Sequence, residues 1–140
     1  MKNFLEICII LALFLSSAYA NQFADMKKIS LKKDEQTKIF VKYANYKRVF
    51  KFRWTLYKNE GLVMFSSYDK EVAQHILYLN NTNQSFKILL KPKGMDFYST
   101  PYFLVLFKDF DFKKHKANFE VYLSDKKHQL EIRYPKREEK

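Results

Sequence analysis

KRVFKFRWTLYKNEGLVMFSSY, residues 47–68, decides how the rest of this chain is read. Phe50, Phe52, Trp54 and Leu56 recur at every second position, with Lys51, Arg53 and Thr55 between them. That two-residue period belongs to a strand buried on one face, because a helix would mix the two sets. The run then meets Lys58-Asn59-Glu60-Gly61, where Gly61 is free to take the left-handed backbone of a short hairpin loop, and residues 62–65 begin a returning strand. The chain is therefore expected to centre on a hairpin, with Trp54 in its core.

Working outward toward the start, Lys2 precedes an apolar run over residues 7–15, followed by Ser16-Ser17 and Ala18-Tyr19-Ala20. A charged start, a short apolar stretch and a small-x-small end describe a secretory signal peptide over residues 1–20, cleaved before Asn21. Glu6 offsets Lys2, so an uncleaved anchor is the alternative, although the apolar run is short for a bilayer. No later stretch is long and apolar enough to span, so no transmembrane segment is expected after cleavage. The expected location is periplasmic or secreted.

Cys8, the only cysteine, falls inside this segment. The exported remainder must then be held by packing alone, which 14 Phe and 10 Tyr permit. Lys2 and Glu6 cancel, so the formal charge of +11 belongs to the domain that follows. A charge of that size keeps a domain soluble and draws it to anionic surfaces.

Residues 21–28 read as a leader, residues 29–135 as one domain and residues 136–140 as a charged tail. Within the domain, short strands are expected at residues 29–31, 36–43, 75–79, 85–90, 102–108 and 118–123, and around Leu130, Ile132 and Tyr134. Residues 68–74 read as a helical turn or an irregular crossing, and residues 109–116 as a charged loop. YFLVLFK, residues 102–108, is apolar on both sides and suggests a central strand covered on both faces. The sum is an all-β, antiparallel two-sheet sandwich of about seven or eight strands, with a small β-barrel as the alternative.

Trp54 in the third strand, the run Phe86-Lys87-Ile88, then Pro92, Asp96-Phe97 and Tyr102-Phe103-Leu104 resemble an immunoglobulin-like domain. The resemblance implies that Trp54 is the core tryptophan, packed with Phe52, and that Tyr102 is the tyrosine of the corner before the sixth strand. The cysteines of that family's bridge are absent. A sandwich of this kind implies no particular activity.

Chemistry-bearing sets are sparse. His75, His115 and His128 lie far apart and at no local metal-ligand spacing. Asp109 and Asp111 sit among Lys108, Lys113 and Lys114, where they balance local charge. Ser66, Ser67, Asp69 and His75 are hydrolase residue types without a nucleophile elbow, and no glycine-rich phosphate loop exists. The chain reads as no enzyme, needing no cofactor and no metal.

The basic residues carry more. Lys38 and Lys42 on one strand, and Lys51, Arg53 and Tyr57 on the next, are expected to project outward as a basic and aromatic face suited to phosphate or carboxylate groups. Lysines at exposed strand positions also protect sheet edges, which is the plainer reading. An exported protein rarely meets nucleic acid, so the expected partner is a protein or an anionic envelope component. The function expected is a non-catalytic binding or scaffold module. The alternative is a carrier of a small or lipidic anionic ligand, which would require a cavity where the module has a solid core.

Overall fold

The computed structural model describes residues 23–91 and 99–136. The signal segment, Pro92, Asp96 and Phe97, and the last residues of the tail lie outside them. Nine strands follow in order: β1 (Asp25–Lys32), β2 (Thr37–Tyr43), β3 (Tyr46–Lys58), β4 (Gly61–Tyr68), β5 (Glu71–Tyr78), β6 (Ser85–Leu89), β7 (Tyr102–Asp111), β8 (Lys116–Ser124) and β9 (Glu131–Arg133). They form two antiparallel sheets, β1-β8-β7-β6 and β5-β4-β3-β2-β9, compatible with a sandwich and not closed into a barrel. Strands β2 to β5 run as consecutive hairpins in one sheet. An immunoglobulin domain instead divides its second and third strands between sheets, so what this chain shares with it is the two-layer arrangement.

The core lies between the sheets, where Phe50, Phe52, Phe103, Phe107 and Phe119 are wholly buried. Phe50 stacks on Phe103 with ring centroids 5.5 Å apart, and Phe52 meets Phe119 edge-on at the same distance, so the two layers are joined ring to ring. Trp54 is buried in this core. Tyr102 is only half-buried, at the start of β7. Its ring carries the Lys87 ammonium at 3.8 Å and meets the edge of Phe23.

Several boundaries depart from the sequence expectation, each for a local reason. β1 begins at Asp25, inside the expected leader, because its whole length pairs with β8. Residues 68–74 are no helical turn: Asp69 and Lys70 both take positive φ, 48° and 69°, and close a two-residue hairpin that starts β5 at Glu71. The β3–β4 loop is closed the same way by Asn59 and Glu60, at 51° and 63°. The left-handed residues are therefore these two and not Gly61. Gly61 is favoured by space instead, since a Cβ there would sit 2.9 Å from Cε1 of Tyr78 on β5 and the ring would have to shift.

Two bulges shift the side-chain phase. Trp54 pairs with Met64 but Leu56 with Val63, so Thr55 is an extra residue and everything after it changes face. Leu56, expected inside, is 49% exposed. In β7 the register slips between Phe107 and Asp109, and the strand continues to Asp111 through what reads as loop. β7 is central in its sheet, but only one face is covered by the other layer. Tyr102, Leu104 and Leu106 on its outer face are half-buried.

Candidate basic sheet face and its neighbours

In an antiparallel sheet, directly opposed residues share a face. Ile39 and Phe50 oppose one another and are both wholly buried, so the positions alternating with them point outward. The outer face of the five-stranded sheet thus carries Lys38 opposite Lys51 and Lys42 opposite Lys47. Arg53 opposes Phe65, and Arg133 opposes Phe40. Four residues singled out in the sequence, Lys38, Lys42, Lys51 and Arg53, are therefore brought onto one face.

Tyr57 is not on that face. The bulge at Thr55 turns it inward, where it stacks on Phe110 with centroids 4.3 Å apart and meets Phe107 edge-on. The aromatics beside the basic residues of the outer face are Phe40 and Phe65 instead. The guanidinium of Arg133 lies 4.7 Å from the Phe40 ring centroid and that of Arg53 lies 5.9 Å from Phe65, both within the range of cation–π attraction.

Lys47 and Arg133 extend the face beyond the sequence expectation. Lys47 was legible, because it continues the alternation of Lys51 and Arg53 backward. Arg133 was not, because only the pairing of β9 with β2 brings it there. Glu131, opposite Lys42, answers it with an exposed ion pair at 3.5 Å. Like charges placed directly opposite in a sheet destabilise it.

The hydrolase residue types come together only in part. Ser66 Oγ and His75 Nε2 are 2.8 Å apart on neighbouring strands. Ser66 is buried, and the His75 ring lies flat on Phe86 at 3.8 Å. Burial holds the His75 imidazole below its ordinary pKa, which favours the neutral ring. Asp69 pairs with Arg48 at 2.7 Å, and Ser67 lies on the outer face opposite Lys51. Among the described residues no three His, Cys, Asp or Glu side chains cluster to hold a metal. Asp111 caps its own turn, accepting the amides of Lys113 and Lys114, and Asp109 accepts from the Asn118 amide.

Two hollows adjoin the sandwich. One, of about 250 Å³, is lined by Tyr43, Tyr46, Tyr68, Arg48 and Asp69. Burial first, and the Asp69 carboxylate second, push the Tyr68 hydroxyl up to about 12, with Arg48 opposing. The other is a groove of about 810 Å³ between β1 and the start of β2, edged by lysines. No helix among the described residues is long and apolar enough to cross a membrane.

Comparison with known proteins adds no relative: no family model matches the chain, and neither a curated protein nor a solved structure matches it significantly.

Proposed function

We propose that this chain is a non-catalytic binding module that holds an anionic partner, a protein or an envelope component, against the outer face of its five-stranded sheet. The observation that carries this reading is the opposed pair Lys38 and Lys51, continued by Lys42 opposite Lys47, of which Lys42 also meets Glu131 at 3.5 Å. Solubility needs charge, but it does not need like charges set directly across from one another, where they cost stability. An anion bridging them turns that cost into affinity. The export signal read over residues 1–20 fits a periplasmic or secreted setting, where anionic envelope surfaces are available.

A carrier is less well supported. The interior is filled by aromatic rings, the hollow of about 250 Å³ falls below the roughly 300 Å³ at which ligand pockets begin, and the groove of about 810 Å³ runs along strand edges among six lysines and Glu35, not through an apolar interior.

The test compares two variants of equal net charge. Lys51→Glu with Arg53→Glu should lower binding to vesicles rich in anionic lipid by tenfold or more, while Lys126→Glu with Lys127→Glu, in the exposed turn before β9, should change it little. Equal losses would reduce the attraction to net charge alone and end this reading for anionic surfaces.

A further inference from the structure

The groove between β1 and β2 is built from backbone edge. β1 is the terminal strand of its sheet, and β9 pairs only with residues 40–42 of β2. Among the described residues, residues 37–39 have no ladder partner on that side, and Tyr134, Pro135 and Lys136 border the groove there. The groove is lined by every residue from 27 to 32 and from 35 to 38. Successive side chains of a strand point to opposite faces, so an unbroken run of lining residues means that the groove follows the strand edge itself. The Lys32 amide donates to Glu35 Oε2, its carbonyl accepts the Glu35 amide and the Leu31 carbonyl accepts the Trp54 indole, which leaves residues 27–30, at about 3.4 Å each, as an edge of roughly 14 Å.

Its charge is predominantly positive. Lys27, Lys28, Lys32, Lys38, Lys116 and Lys136 line it against one carboxylate, Glu35, whose Oε2 already accepts the Lys32 amide at 2.7 Å. Lys32 and Lys116 stand directly opposite each other in the β1–β8 ladder, a third like-charge pair. Tyr134 supplies an apolar wall, with the Lys27 ammonium 5.8 Å from its ring centroid.

From this we propose that the groove accepts an extended acidic segment of another polypeptide, which adds as a fifth strand beside β1. A row of backbone amide and carbonyl groups is complementary to another peptide backbone, which a lipid headgroup or a sugar acid does not offer. The lysines select the charge of that backbone's side chains. They also disfavour a second copy of this chain, because two β1 strands would bring six lysines together against two aspartates. This site goes beyond the sheet-face reading and does not rest on it.

The probe is a fluorescent seven-residue peptide of alternating Glu and Val, titrated into the full chain by anisotropy. Saturable binding is expected, with a loss of tenfold or more when every backbone amide of the peptide is N-methylated, since that keeps the charges and removes the donors. Lys27→Glu with Lys116→Glu should weaken the unmethylated peptide at least tenfold, with Trp54 fluorescence reporting that the fold is kept. Lys126→Glu with Lys127→Glu should change it less than twofold. The absence of saturable binding, or equal binding of the methylated peptide, overturns strand addition, and so does an equal loss in both charge variants. The vesicle measurement runs beside it: the groove variant should leave vesicle binding intact, so the two proposals fail separately.

Discussion

The indole Nε1 of Trp54 donates to the backbone carbonyl of Leu31 at 2.8 Å, and so fastens β3 of one sheet to β1 of the other. The Trp54 carbonyl in turn accepts the Asp34 amide at 2.9 Å, holding the crossover between β1 and β2. One residue thus packs the core and ties the two layers through both its side chain and its backbone.

Trp54→Ala should therefore cost about 3–5 kcal/mol, as large-to-small core changes do. Trp54→Phe keeps a ring but removes the donor, leaving the Leu31 carbonyl without it, and should cost about 1–3 kcal/mol. Lys51→Ala, pointing outward, should stay within about 0.5 kcal/mol. Denaturant melts give all three, and a Trp54→Phe variant as stable as the parent would remove the tie from the account.

Left-handed backbone at non-glycine residues makes the two tight hairpins improvable. Glu60 has φ of 63° and Lys70 has φ of 69°, and glycine adopts that region without the roughly 1–2 kcal/mol penalty of an L side chain. Glu60→Gly and Lys70→Gly should each raise stability, by up to about 1 kcal/mol once the greater freedom of the unfolded chain is deducted. A lowered thermal midpoint in both would mean that these side chains hold the turns in another way.

At Gly61 the opposite holds. Gly61→Ala places its Cβ against the Tyr78 ring, and overpacking of this kind costs about 1–3 kcal/mol. The low end is expected because Tyr78 is an exposed side chain. In a Tyr78→Ala background the same change should cost almost nothing. A penalty that persists there places the strain in the backbone instead.

The pH dependence of stability follows from His75. Its folded pKa is lowered by burial while the unfolded chain titrates near about 6.5. Below that pH the unfolded state takes up a proton that the folded state resists, so stability falls as pH drops from about 6.5 toward the lowered folded value. His75→Gln, which can still reach Ser66, should flatten the difference between urea midpoints at pH 7 and pH 5. An unchanged slope would assign the acid sensitivity to other groups.

The alternation of β3 was legible up to Trp54 because period two is a local property of the sequence. It failed at Leu56 and Tyr57 because one extra residue, Thr55, resets the phase, and nothing in the residue types announces a bulge. The hairpins at Asn59-Glu60 and Asp69-Lys70 were obscured by glycine's reputation: neither left-handed pair contains one. Of the basic face, Lys38, Lys42, Lys51 and Arg53 followed from alternation. The groove did not, since Lys32 and Lys116 become neighbours only through a pairing that joins distant parts of the chain.

That same pairing sets an order of assembly. Asp25 lies opposite Leu123, so β1 leaves a ribosome or a translocation pore long before its ladder partner β8 exists, whereas β2 to β5 can zip hairpin by hairpin as they emerge. The first folded piece is then a lone sheet, and residues 25–32 trail from it until β8 arrives. A run that waits this long as a bare strand is an aggregation hazard in any apolar sequence. DMKKISLK, with three lysines in eight residues, is a strand that can wait.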